Sequence, residues 1–453
     1  MDALKFGYVL GCLFHELGGR RERRRVEEEL SAFFQGKAHR CEELQRELLR
    51  QTLGHAGRLI PFYRDRIDPN RLARGELKEV LTGLPVVGRG QRSGEPKAFA
   101  RRLPALMAKR FNTGGSTGDP LIFYCSPLGR ELELAHQNAF YARCFGTVKP
   151  EIVSFDGVPI SEKSRARGIY WQLRKRHHFP YGGTRFSAGH IQEDTISHYR
   201  KKLHELRAPV LRGYPSALLA LARELQAKGW DLGYRPQMVM LTSESIWPDD
   251  IAYLRRFFEC DIYPQYGHSE GAIFGFASAN SLEYWCSPLV GVTEVLGADG
   301  RHVSVGEAGE IVVSGFGNYA SPFIRYRTGD IGVYNGMVGG FIRISRLLGR
   351  EQDFVVDRNG VKVLLVGLIF GAHLSLFGEA QHLQIIDHGV GRIEVAVLAQ
   401  KVVTAGAKAE LTARFKEFGD FAVSVSEVQV LRRLPNGKAP FCIRVQKAPI
   451  VSG

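Results

Sequence analysis

Residues 209–229, PVLRGYPSALLALARELQAKG, and 237–258, QMVMLTSESIWPDDIAYLRRFF, decide the fold class, because each passes from a short apolar run into a longer amphipathic one. The run IFYC at 122–125, ahead of LGRELELAHQNAFYARCF at 128–145, does the same. Strand-like segments alternating with helical ones in this way predict a parallel sheet covered by helices.

Upstream, CEELQRELLRQTLGHAGRLIPFY (41–63) keeps a three-to-four-residue apolar period until Pro61, so residues 1 to about 80 read as helical. After CDIYPQYG (260–267) the texture changes to short β segments and turns, as in GEIVVSGFG (309–317) and GVYNGMVGGFIRIS (332–345). That predicts a small β-rich subdomain closing the larger unit. The last hundred or so residues mix strand-like HLQIID (382–387), RIEVAVLA (392–399) and SEVQVL (426–431) with one helical run, AELTARFKEFG (409–419). The expected fold is therefore α/β, with a large N-terminal domain over 1–350 and a small α+β C-terminal domain over 351–453. Parallel and mixed sheets, helices and the β-rich subdomain fill the first.

At 453 residues, 44% hydrophobic and 24% charged, the composition is that of a globular chain of more than one domain. No apolar run is long enough to span a bilayer, and the opening MDALKFGYVLGCLF carries Asp2 and Lys5, unlike a signal peptide. A cytoplasmic location is expected. Seven cysteines, Cys12, Cys41, Cys125, Cys144, Cys260, Cys286 and Cys442, lie scattered without a CxxC pair, which argues against a metal site and for reduced, mostly buried thiols. The net charge of +14 suits anionic partners such as ATP. Its densest cluster, Arg20 to Arg25, runs into Glu27, Glu28 and Glu29, which fits an exposed, charge-laced helix rather than a nucleic-acid stripe.

Five segments carry chemistry. Phe111 to Leu121, FNTGGSTGDPL, is a loop of glycines and hydroxyls able to fold its N–H groups around phosphate oxygens. It lacks the Gly-Lys-Ser/Thr ending of a Walker A loop. Gly114, Ser116 and Gly118 also match G-x-S-x-G, which would make Ser116 a hydrolase nucleophile, but that elbow needs a helix where Pro120 and LIFYC stand. Tyr263 to Gly271, YPQYGHSEG, offers Glu270 as a magnesium ligand at the carboxyl edge of the sheet. His268 has no locatable carboxylate partner, and a lone histidine beside a turn is more often structural. Phe323 to Asp330, FIRYRTGD, sets a carboxylate acceptor beside a tight turn, as a ribose diol requires; the alternative is a solvated hairpin turn. Gly349-Arg350 puts a guanidinium suited to nucleotide oxygens between domains, and Leu434 to Lys438, LPNGK, is a loop whose lysine would ordinarily be an exposed turn residue.

In order and spacing these segments resemble the acyl-adenylate-forming (AMP-dependent synthetase/ligase) superfamily. Through TGGSTGDPL, GYPSALLALA, TSESIWP, YGHSEG, IRYRTGD and GREQDF the chain resembles its phenylacetate–CoA ligase family, especially capsule-biosynthesis-type relatives, from about residue 45 to 445. The resemblance implies that Thr113, Gly114, Gly115, Ser116, Thr117 and Gly118 hold the phosphates of ATP, and that Ser243, Glu244 and Ser245 border adenine. It implies that Tyr266 and Gly267 line the adenine and acyl pockets, Ser269 meets the α-phosphate, Glu270 binds magnesium, and Asp330 with Arg350 holds the ribose. Lys438 matches the lysine that bridges the acyl carboxylate and the α-phosphate. The C-terminal domain would be mobile, turning about a hinge at Gln352 and Asp353 to open an acceptor channel. Two positions depart from the pattern: Asp119-Pro120-Leu121 lacks a lysine, and Gln352 stands where the hinge usually has an acid or lysine. ATP and Mg2+ are the implied cofactors, with coenzyme A the favoured acceptor and an amine or carrier-protein thiol the alternative. Tyr141, Tyr214, Trp247 and Phe274 are candidates for the acid pocket, which suits an aromatic or medium apolar acid. A homodimer is compatible with this reading. A scaffold that has lost turnover, the other alternative, would have no use for Glu270, Asp330 and Lys438 together.

Overall fold

The computed structural model describes residues 3–101, 109–112, 121–146, 150–174, 182–350, 354–365, 368–369, 374–380, 382–399, 402–434 and 439–445, with backbone alone for 3–18, 109, 112, 350, 362, 364, 377 and 378. Helices α1 (Ala3–Phe34) and α2 (Cys41–Leu59) lead into four short ones, α3 (Pro61–Arg64), α4 (Pro69–Ala73), α5 (Leu77–Gly83) and α6 (Arg89–Gly94). The expected stripe of α2 is the buried one: Leu44, Leu48, Leu49, Thr52, Leu53 and Ala56 face inward. The basic cluster is laced within its helix by Arg23 and Glu27 at 3.5 Å, but it is less exposed than expected, since Arg23 also meets Glu131 at 2.7 Å and Arg25 meets Glu47 at 2.6 Å on other helices.

Strands β1 (Lys109–Asn112) and β2 (Ile122–Cys125) form an antiparallel pair ahead of α7 (Pro127–Phe145). Next come β3 (Ile152–Asp156), α8 (Glu162–Arg165), β4 (Trp171–Leu173), β5 (Thr184–Ser187) and α9 (Ile196–Leu206). They are followed by β6 (Val210–Gly213), α10 (Pro215–Ala227), β7 (Met238–Thr242), α11 (Pro248–Phe258) and β8 (Asp261–Gly267). Pro127, Pro215 and Pro248 each open their helix, where the missing N–H costs nothing and the fixed φ is already helical. Strands β5, β3, β6, β7 and β8 lie side by side and parallel, and β7 is buried along its whole length. Covering helices on both faces explain why it reads as a continuous apolar run.

The β-rich stretch departs from expectation. Strands β9 (Phe274–Ala277), β10 (Tyr284–Cys286), β11 (Gly291–Leu296), β12 (Ala308–Gly315), β13 (Tyr326–Val338) and β14 (Phe341–Arg350) continue the same sheet. β8 pairs antiparallel with β9, so one twelve-stranded sheet runs from β11 to β4. The residues read as turns in GVYNGMVGGFIRIS are the tip of the long β13–β14 hairpin, where Gly339 and Gly340 take positive φ.

A separate core is built from residues after 354: Val355, Ile385, Val395, Val397, Leu411 and Phe415 are among its fully buried members. It joins the two-stranded β15 (Phe354–Val356) and β16 (Lys362–Leu364) to a four-stranded sheet. That sheet holds β17 (His382–Asp387), β18 (Arg392–Leu398), β19 (Ala422–Glu427) and β20 (Cys442–Arg444), with α12 (Ala405–Phe418) packed on β19. The strand expected at 426–431 lies instead at 422–427, because there Val423 and Val425 alternate inward beside β18. Among the described residues no helix is long and apolar enough to cross a membrane, and six cysteines are free thiols.

The sheet tolerates no side chain at Gly213, the last residue of β6. A Cβ there would stand 2.7 Å from Phe155 Cβ and 2.8 Å from its carbonyl oxygen. Gly213→Ala is expected to destabilise the protein by about 1–3 kcal/mol. Urea unfolding checks this, and an unshifted midpoint would contradict the close approach.

Candidate functional site

The five parallel strands end on one edge, at Asp156, Ser187, Gly213, Thr242 and Gly267, and ligands of open α/β sheets bind outside such an edge. Three of the sequence segments meet over one apolar core beneath it. Leu121 and Phe123, which follow the glycine-rich loop, pack with Tyr266, Phe323 and Tyr326. Phe123 meets Phe323 edge-on at 5.1 Å, and Phe323 meets Tyr326 at 4.9 Å. Residues 113–118 themselves lie outside the described residues. Asn112 and Ile122, on either side, are paired across β1 and β2, and a strand follows the loop where a nucleophile elbow needs a helix.

The second and third segments are directly bonded. Tyr266 donates its hydroxyl to Asp330 Oδ2 at 2.7 Å, and burial together with that carboxylate holds the phenol far above its ordinary pKa. The contact fixes the position of the Asp330 carboxylate, a group that only accepts hydrogen bonds. On the β13–β14 ladder Asp330 stands opposite Arg350, so the third and fourth segments are cross-strand partners by backbone register. Glu270 lies in the turn after β8, 10% exposed, with the Tyr326 hydroxyl 3.3 Å from Oε1 and His268 Nδ1 3.2 Å from Oε2. Gly267 and Ser269 are exposed on the same turn. Arg325, fixed by Glu294 at 3.0 Å and by the Leu84 carbonyl at 2.8 Å, is a buried structural arginine, and Arg327 pairs with Glu310.

After β7 the chain turns through Ser243, whose φ of +71° is a strained value for a residue with a side chain. Ser243 and Ser245 are exposed at the edge. Glu244 accepts from the Ser216 amide and hydroxyl, each at 3.0 Å, and from the Ala439 amide at 2.9 Å. Ala439 follows Lys438, which with Gln352 and Asp353 lies outside the described residues. The C-terminal unit thus touches the sheet edge where the sequence had placed adenine-bordering residues. Arg433, which sequence reading missed, donates to the carbonyls of Ala188 at 2.6 Å and Ser216 at 2.9 Å.

The aromatic candidates separate. Tyr141 is fully buried with its hydroxyl on Met240 Sδ, and Phe274 is buried against His136, so both belong to the core. Trp247 packs into the C-terminal core beside His382, on the seam between the two units. Tyr214 remains half-buried at the edge, its pKa raised by burial.

No protein-family model matches the chain. Its fold is that of the acyl-adenylate-forming ligases, and the resemblance read from its sequence is borne out at that level. Over 89% of both chains it superposes on 2-hydroxyisobutyryl-CoA ligase in complex with R3-HIB-AMP, with a TM-score of 0.63 at 16% identity. Over 92% of this chain and 94% of the other it superposes on the acyl acid amido synthetase AtGH3.15, with a TM-score of 0.60 at 12% identity. In sequence the chain is similar to Protein CapK of Staphylococcus aureus, 26% identical over 330 residues, which are 70% of this chain and 69% of that one.

On the seam, Asp250 of α11 faces His382 of β17 at 3.5 Å. Burial pushes the Asp250 carboxyl up to about 7 and the His382 ring down to about 4, so between about pH 4 and 7 both are held uncharged. A carboxyl whose pKa is raised on folding stabilises fully at low pH and loses that contribution as pH rises from about 4 to about 7. Asp250→Asn keeps an acceptor for the Trp247 amide, which Asp250 Oδ2 now binds at 3.1 Å. The variant is expected to match the parent near pH 4 and to exceed it in stability by about 1–3 kcal/mol at pH 8. Denaturant unfolding across pH checks this, and a pH-independent difference would contradict the assignment.

Proposed function

We propose that the protein joins a carboxylic acid to the AMP of ATP, releases pyrophosphate, and passes the acyl group to a second acceptor, for which coenzyme A is favoured. The observation that carries this reading is the Ala439 amide on Glu244 at 2.9 Å, which sets the residue after Lys438 at the edge that also carries Tyr266, Asp330 and Glu270. In the first step a carboxylate oxygen attacks the α-phosphorus, the bond from that phosphorus to the bridging oxygen breaks, and pyrophosphate leaves. Two anions approach each other, so a cation at Lys438 stabilises the transition state more than the ground state. Asp330, oriented by Tyr266, takes the ribose hydroxyls, and the glycine-rich loop at 113–118 takes the outer phosphates. Glu270 fits Mg2+ carried in on ATP, since that ion takes one or two carboxylates and completes its shell from phosphates and water. Bound there, it would neutralise phosphate charge. Among the described residues no cluster of three ligating side chains offers a separate metal cage.

In the second step the acceptor attacks the carbonyl carbon and AMP leaves. A thiol gives a thioester; an amine gives an amide, which the shared fold with an amido synthetase keeps as a second reading. With Tyr141 and Phe274 in the core, Tyr214 is the aromatic residue that still supports an aromatic or medium apolar acid. The same reading places the reaction in the cytoplasm.

ATP–pyrophosphate exchange with magnesium is expected to depend on an added acid from a panel of aromatic, aliphatic and 2-hydroxy acids. Lys438→Ala is expected to lower it by about 100-fold or more. Exchange undiminished in that variant, or ester hydrolysis without ATP that a serine-directed reagent abolishes, would overturn the proposal.

A further inference from the structure

The loop that carries Lys438 is bracketed by residues with two separate sets of partners. Within the C-terminal unit, the fully buried Gln384 donates to the carbonyls of Arg432 and Pro440, both at 2.9 Å, and accepts from the Arg432 amide at 2.9 Å. These bonds close the base of the loop and travel with the unit. The other set crosses to the sheet edge, and both of its members converge on Ser216. Glu244 takes the Ser216 amide and hydroxyl together with the Ala439 amide, while Arg433 takes the Ser216 and Ala188 carbonyls.

Ser216 lies in the first turn of α10, whose N-cap residue, Tyr214, supplies no side-chain cap. Glu244 supplies one from the next strand–helix turn, with a negative charge where the helix dipole favours it. The capping carboxylate therefore accepts from donors in α10 and from the amide just past Lys438. Arg433 satisfies a carbonyl of that same turn with a charge-assisted bond.

We propose that Glu244 and Arg433 are positioning residues that pin both ends of the lysine loop to α10 for the first half-reaction alone. The proposal rests on the adenylation reading above. Gln384 ties Arg432 to Pro440 in every orientation of the C-terminal unit, whereas the bonds from Arg433 to Ser216 and Ala188 and from the Ala439 amide to Glu244 exist only in the orientation seen here. Any turn of the unit for acyl transfer must break them. Displacing a reacting group by about 1 Å can cost about 100-fold in rate, so unpinning the loop should fall on kcat of the first step and spare the nucleotide contacts at Asp330.

The test compares the parent with Arg433→Met, which keeps an apolar stem, and with Arg433→Lys, which restores one charged donor. Hydrogen–deuterium exchange on the full chain without ligands reads docking. Arg433→Met is expected to raise uptake in peptides covering 214–219 and 439–444 and to leave those covering β7 unchanged, at an unchanged unfolding temperature. ATP–pyrophosphate exchange with the panel acid fastest for the parent is expected to fall about 100-fold in kcat, with KM for ATP unchanged and partial recovery in Arg433→Lys. Parent-like uptake in both peptides overturns the proposal, as does a loss of activity carried by KM for ATP. If the parent shows no exchange with any acid, the adenylation reading falls, and the uptake data alone decide whether these residues dock the unit.

Discussion

One carboxylate, Glu244, receives three hydrogen bonds from two distant parts of the chain, and the functional edge is organised around it. It stands one residue after Ser243, held at a φ of +71°, a conformation that costs about 1–3 kcal/mol and persists only where surrounding contacts fix it. Those contacts come from the first turn of α10 on one side and the Ala439 amide on the other. Because β6 and β7 are parallel neighbours, the turns after them lie side by side, which brings a residue at 244 within reach of one at 216. The parallel sheet is the reason a cap from one strand–helix turn can serve the next.

The rest of the edge follows a similar economy. Strand β2 enters the apolar core that also holds Tyr266 and Tyr326, so the strand after the glycine-rich segment and the carboxylates at 270 and 330 share one support. The Tyr266–Asp330 bond converts that support into a fixed acceptor. A nucleotide site needs such preorganisation, because donors and acceptors that must be reordered on binding add little to transition-state stabilisation.

Much of this was legible beforehand. The alternation of apolar runs and amphipathic helices marked β6, α10, β7 and α11, since period and proline position are local properties of the chain. Strands β17 and β18 were legible for the same reason. The sheet's continuation through β9 to β14 was not, because pairing between β10 and β14 depends on contacts some sixty residues apart that no local pattern encodes. Nor could aromatic type separate Tyr141 and Phe274, which fill the core, from Tyr214, which faces the edge. Nothing in sequence separates Arg325, inside one motif, from Arg433, beside another. Only the fold makes one a structural clamp on Glu294 and the other a bridge to Ser216. The structure brings the sequence-named Glu270 and Asp330 to one edge, while the partners of Glu244 emerged from tertiary structure.

If a carboxylate oxygen becomes bonded to the α-phosphorus of ATP at this edge, as proposed, an oxygen isotope in the acid must pass to AMP. Phenylacetate and 2-hydroxyisobutyrate carrying heavy oxygen in the carboxylate would be incubated with enzyme, ATP, magnesium and hydroxylamine, and the products weighed by mass spectrometry. The expected product is AMP carrying a single heavy oxygen, formed with one hydroxamate for each AMP. Heavy oxygen in inorganic phosphate alongside ADP, or hydroxamate formed with unlabelled AMP, would contradict it.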